Sequence, residues 1–144
     1  MTDFLAADSG IRQLHARFVD AVWRKDGDSF ADCFTEDGEW IARYARARGP
    51  AEIAALMDRN IPVEPKRKHF IMNSLIRLEG DRASARTSYL VVLQAAGAAL
   101  VPSVAGTYQD LLERTAAGWR FRERRLVHDL AGELGLNLPS TRRS

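Results

Sequence analysis

From Ile11 onward the apolar residues Ile11, Leu14, Phe18 and Val22 recur at helical spacing with His15 among them, and Asp8 and Ser9 offer N-cap oxygens just ahead. The pattern predicts a first helix running to about Arg24. Lys25-Asp26-Gly27-Asp28 breaks it, and Ser29 to Phe34 reads as a short second helix. Glu36-Asp37-Gly38 then turns the chain into a first strand, Glu39-Trp40-Ile41-Ala42. Gly49-Pro50 opens a third helix, because proline suits the first helical position and Glu52 suits the first turn. Its apolar stripe is Ile53, Leu56 and Met57, and Pro62 and Pro65 end it.

Beyond this point alternation replaces the helical period. Arg67 to Glu79, Arg82 to Gln94, Leu100 to Arg114 and Trp119 to Asp129 read as strands, separated by Gly80-Asp81, Ala96-Gly97-Ala98 and Ala117-Gly118. Loops this short join antiparallel neighbours. Helices first and a strand meander afterwards predict an α+β fold, with the helices covering one face of a curved, mostly antiparallel sheet. One domain is expected over residues 1–136, with 137–144 as a flexible tail.

Composition narrows the function. The 144 residues, 46% hydrophobic and 28% charged, suit one globular domain with a real core. Lys and Arg (21) nearly balance Asp and Glu (19), and the basic residues are dispersed or interleaved with Trp119, Phe121 and Glu123, so nucleic acid is not an expected partner. Cys33 is the only cysteine, which leaves neither a disulfide framework nor a thiolate zinc site within one chain, and it is expected to pack. The three histidines lack metal-site spacing, so no metal is expected. No glycine-rich phosphate loop occurs and no cofactor is expected. Without a leader or a spanning apolar stretch, the expectation is a cytoplasmic protein with no membrane partner.

His69 is the leading candidate for chemistry, because it stands near the start of an alternating strand with Asn73 on its own face and imidazole titrates near neutrality unaided. Pairing the strands about a Gly80-Asp81 turn places His69, Ile71, Asn73, Leu75 and Arg77 on one mixed face. Phe70, Met72, Ile76 and Leu78, with Ala85, Tyr89 and Val91, form a more apolar opposite face. Two arrangements reconcile this: a sheet buried on both sides, which predicts a homodimer and is the one expected here, or a bulge that switches register between His69 and Leu78. His15 is expected as a satisfied core residue, His128 with Asp129 as a rim pair, and Tyr89 and Tyr108 as core packing. Tyr44, with Arg43, Arg46 and Arg48, lies in a polar segment that suits either a solvated loop or a mouth for an anionic ligand. Arg125 shares a face with Trp119 and Phe121 and so needs a partner such as Glu123.

Phe34-Thr35-Glu36-Asp37-Gly38-Glu39-Trp40, Gly49-Pro50, His69 with Asn73 ahead of Leu78-Glu79-Gly80-Asp81-Arg82-Ala83, Gly106-Thr107-Tyr108 and Gly118-Trp119-Arg120-Phe121 occur in an order that resembles the SnoaL-like branch of the nuclear-transport-factor-2-like superfamily. The resemblance covers nearly the whole chain and implies a cone-shaped fold that holds a small, largely apolar molecule. It is nearest to scytalone dehydratase, bile-acid 7α-dehydratase and hexachlorocyclohexane dehydrochlorinase, lyases whose strand histidine is a base oriented by an aspartate near the end of the first helix. His69 falls on that histidine and Trp40 on a pocket aromatic. The aspartate position carries Trp23 instead, whose indole is expected to shrink or cap the cavity, and neither Asp20 nor Asp26 is a convincing replacement.

The resemblance thus implies a cofactor-independent lyase or isomerase. His69 is the expected catalytic base, and Phe18, Trp23, Trp40, Tyr44 and Asn73 are the expected substrate-binding residues. The substrate expected is a small hydrophobic molecule of aromatic, polyketide or steroid-like type. The alternatives are a non-catalytic ligand-binding module, or a structural subunit resembling the small subunits of ring-hydroxylating dioxygenases.

Overall fold

The computed structural model describes residues 2–131. A long helix α1 (Thr2–Arg24) is followed by α2 (Gly27–Ala31), β1 (Phe34–Ile41), β2 (Arg46–Arg48) and α3 (Gly49–Asn60). Four long strands then run in succession: β3 (Arg67–Glu79), β4 (Arg82–Gln94), β5 (Leu100–Thr115) and β6 (Gly118–Ala131). The six strands form one sheet in the order β2-β1-β6-β5-β4-β3; β1 runs parallel to β6 and every other pair is antiparallel. The helices cover its concave face, which makes the α+β fold that the element pattern implied and the cone that the resemblance implied. The expected tail at 137–144 lies outside the described residues. Among the described residues no helix is long and apolar enough to cross a membrane.

The core is one stripe of α1 pressed into the curved sheet. Ala7, Ile11, Leu14, Phe18, Ala21 and Val22 are buried, as the helical spacing requires, against Phe30, Phe34, Tyr108 and Phe121. Full burial of one such side chain stabilises the fold by about 1.5–3 kcal/mol. The helix starts earlier than its capping signal, since Asp8 lies inside it and pairs with Arg12 one turn on. Glu36-Asp37-Gly38 is likewise not a turn before the first strand but an irregularity inside β1, where the register against β6 shifts between Phe34 and Glu39. β2, in the polar segment after Tyr44, had no alternating signal and pairs through Trp40↔Ala47.

Gly80 and Asp81 do form the two-residue turn, with Glu79 opposite Arg82 and Gly80 at φ +62°. The register then slips. Ile71 pairs with Tyr89 but Ser74 with Thr87, so β3 carries one residue more than β4 across Met72-Asn73. This bulge reverses the alternation. Arg67, His69 and Ile71 face inward on one side of it and Ser74, Ile76 and Leu78 on the other, while Phe70, Met72, Asn73 and Leu75 face outward. The bulge, rather than burial of an unbroken strand on both sides, therefore reconciles the two faces. A similar slip between Leu111 and Leu112 adds Arg122 to β6 and turns Arg124 inward in place of Arg125, which pairs with Glu123 at 3.2 Å on the exposed side.

Candidate active-site cavity

The inward stretch of β3 ahead of the bulge carries the candidate site. There His69 sits opposite Val91 and shares a cavity with residues of α1, α3, β1, β4, β5 and β6. The wall is largely aromatic: Phe18, Phe30, Trp40, Tyr44, Tyr89 and Tyr108 all line it, so every tyrosine of the chain does. Its room for a ligand is about 140 Å³, near the volume of an engineered apolar cavity of about 150 Å³ that accepts benzene. One ring fits.

Close packing builds this wall. Tyr89 stacks on Tyr108 with ring centroids 4.2 Å apart and planes at 16°. Gly106 makes room for them, because a Cβ there would lie 2.3 Å from the Val127 carbonyl oxygen and 2.6 Å from the Tyr89 ring. Burial raises the pKa of all three tyrosines, so they stay protonated and act as donors. The Tyr89 hydroxyl holds only a long bond of 3.5 Å, to Val127 O.

His69 is buried to the point that its Nδ1 makes no hydrogen bond among the described residues. Burial pulls its pKa down to about 4, helped by the positive charges of Arg67 and Lys25. The imidazole is neutral at physiological pH. No carboxylate lines the cavity among the described residues, and the two nearby acids are engaged elsewhere. Asp20 accepts from Arg24 Nε at 2.8 Å. Asp26 caps α2, accepting from Ser29 N at 3.0 Å and Ser29 Oγ at 2.7 Å, which holds its carboxyl at about 2. A neutral imidazole without a carboxylate partner retains its lone pair but is a weaker base than free histidine.

Of the residues expected at the site, Phe18, Trp40, Tyr44 and His69 meet in the cavity, with Tyr44 half exposed at its mouth against Trp40 and His128. Trp23 and Asn73 stand outside it. Trp23 is 46% exposed on α1 with Lys68 Nζ 4.3 Å from its ring centroid, so the indole does not cap the cavity. The small volume comes from Trp40, Tyr89 and Tyr108 instead. Asn73 belongs to the bulge and faces an outer groove with Leu75, Arg86 and Thr107.

Alternation alone did not single out Arg67 as a cavity residue, and it treated Tyr89, Tyr108 and His128 as core or rim. It also missed a buried polar network under the cavity floor. Arg124 donates to both oxygens of Asp110 at 2.8 Å and to His15 Nδ1 at 2.8 Å, all three side chains being buried. His15 Nε2 faces Ser74 Oγ and Thr87 Oγ1, each at 3.4 Å. Asp110 and Arg124 stand directly opposite each other on β5 and β6, a pairing visible once the register is known. Among the described residues no cluster of three His, Cys, Asp or Glu side chains could hold a metal ion.

Comparison with known proteins places this geometry. The model of the SnoaL-like domain matches residues 3–125. A protein of unknown function from Mycobacterium tuberculosis is 29% identical, with a TM-score of 0.82 over 89% of this chain and 75% of that one. An NTF2-like protein with a cystatin-like fold from Novosphingobium aromaticivorans is 27% identical, with a TM-score of 0.83 over 92% of this chain and 88% of that one. A hexachlorocyclohexane dehydrochlorinase, LinA type 2, shares the fold at 18% identity, with a TM-score of 0.77 over 90% of this chain and 89% of that one. No curated protein matches the sequence.

Proposed function

The chain belongs to the SnoaL-like domain family, and from that premise we propose that its cone binds a small, flat, largely apolar molecule on which His69 acts as proton acceptor in a cofactor-free elimination or isomerisation. The observation that carries the reading is the buried Nδ1 of His69, unpartnered among the described residues in an aromatic cavity. Leaving such an atom unsatisfied costs about 1–3 kcal/mol, which a bound ligand offsets. In the reaction the imidazole takes a proton from carbon. The electron pair left behind forms a double bond, with departure of a leaving group or protonation elsewhere. Protonated tyrosines of the same cavity donate to the charge that develops. An elimination is also what the name of the dehydrochlorinase sharing this fold describes.

The weak basicity of His69, with no carboxylate beside it among the described residues, favours a second reading: a binding module that holds its ligand unchanged. A panel of single-ring ketones, halides and alcohols separates the two. The first reading expects a product with the native chain and none with His69→Ala at unchanged melting temperature. Turnover that survives His69→Ala refutes it, and a ligand that co-purifies unaltered supports the second.

In the same reading the chain works in the cytoplasm as a homodimer. Phe70, Met72 and Leu75 are 48%, 47% and 73% exposed on the outer face of β3, an apolar surface that a second copy would cover. Light scattering on the eluting protein should give twice the chain mass, and a Leu75→Glu chain should elute as a monomer.

A further inference from the structure

Two donors stand side by side on the inner face of β3 with nothing to bind. Arg67 and His69 are two residues apart, so they leave the strand on one face about 7 Å from each other, and both line the cavity. Arg67 Nε and His69 Nδ1 are each buried and make no hydrogen bond among the described residues. None of the ion pairs among those residues includes Arg67. A guanidinium stays charged at any accessible pH, and the buried Nε–H of this one is left without an acceptor. A second cation lies close by: Lys25 Nζ donates to the carbonyls of Ile61 and Pro62 at 3.2 and 3.0 Å, and its charge reaches His69. The cavity is thus apolar and aromatic over most of its wall and positive at one end, and no carboxylate lines it among the described residues.

We infer that the ligand carries a carboxylate on a single apolar ring, the carboxylate bridging Arg67 Nε–H and His69 Nδ1–H while the ring lies among Phe18, Trp40, Tyr89 and Tyr108. This rests on the proposed function and names its substrate class. A carboxylate offers an acceptor oxygen to each nitrogen, and a volume near that of a benzene site leaves room for one ring. The arrangement also alters His69. With Nδ1–H donating to the ligand, the tautomer is fixed and the Nε2 lone pair is the one left to accept a proton. A carboxylate in contact stabilises the imidazolium and offsets the effect of burial. The ligand thereby supplies the anion that the described residues do not.

Calorimetry on the full chain at pH 7 with benzoate, benzamide and toluene tests this. Benzoate should bind about tenfold or more tightly than benzamide, and it should move the His69 imidazole titration upward while benzamide does not. Arg67→Gln should bring the benzoate-to-benzamide ratio close to one; Arg67→Lys, which keeps the charge but not Nε–H, should restore it only in part. The benzoate-to-benzamide ratio of the native chain needs no variant. Equal affinity of the two, or a preference that survives Arg67→Gln, overturns the inference and leaves the proposed function standing, because a neutral ring still enters. If none of the three binds, both fall.

Discussion

Arg124 Nη2 donates a 2.8 Å hydrogen bond to Nδ1 of His15, and that bond decides the state of a histidine buried beneath the cavity floor. Arginine only donates, so Nδ1 must accept and the proton resides on Nε2, facing the hydroxyls of Ser74 and Thr87. Arg124 is held in turn by both oxygens of Asp110 and lies 3.9 Å from the ring centroids of Tyr108 and Phe121. Tyr108 and Phe18 touch this network on one side and the cavity on the other, so the buried ion pair supports the ligand-facing wall.

Removing one partner of a fully buried pair strands the other. Arg124→Met should cost about 3–5 kcal/mol in urea denaturation. Arg124→Met combined with Asp110→Leu should recover much of that loss, because no charge is then left buried. A double variant as unstable as the single one contradicts this account of the floor.

The pH dependence of stability follows from the two buried histidines. Burial, with neighbouring cations, pulls His15 down to about 2 and His69 to about 4 from an ordinary 6.5. In that window the unfolded chain binds more protons than the folded one, so stability falls as pH drops below about 6.5. The share of His69 is complete near pH 4, whereas that of His15 continues toward 2. Melting temperatures between pH 7 and 4.5 should fall for the native chain and fall less steeply for His69→Asn. Parallel slopes would show that His69 is not buried as described.

Gly106 is a packing requirement of the tyrosine wall. Gly106→Ala drives a methyl group into the Val127 carbonyl and the Tyr89 ring, and overpacking of this kind costs about 1–3 kcal/mol. The variant should melt lower and bind cavity ligands more weakly, read by thermal denaturation and calorimetry on the same preparation. Unchanged stability and affinity would mean that the Tyr89–Tyr108 stack yields freely.

Fluorescence separates the indoles. Trp40 lines the cavity and is 6% exposed, whereas Trp23 is 46% exposed beneath Lys68. A ring-sized ligand should change the emission of the native chain and of Trp23→Phe, and should leave Trp40→Phe almost silent. The opposite pattern would return Trp23 to the binding site.

The limits of the four long strands were legible because glycine-containing turns and alternation mark them directly: the expected ranges for β3 and β4 match those observed, and β5 and β6 differ by one or two residues at their ends. What alternation could not supply is the face beyond a bulge. Nothing in Met72-Asn73 or in Arg122 announces an extra residue, yet each reverses the alternation of the side chains that follow it. Hence Asn73 was expected beside His69 and stands outside, and Arg125 was expected inward where Arg124 is. The helical wheel of α1 carries no such parity. It placed Phe18 and His15 inward, but the resemblance that put Trp23 at the cavity ran against that wheel, and the exposed position of the indole agrees with the wheel.

The central claim is that His69 presents a neutral, buried imidazole to a ligand in the cone. Nitrogen-resolved NMR of its ring across pH, in the free chain and with a ring-sized ligand, tests this most directly. The account predicts a free-chain midpoint near 4 and ring signals that move when the ligand binds. A midpoint near the ordinary 6.5, with signals indifferent to ligand, would contradict it.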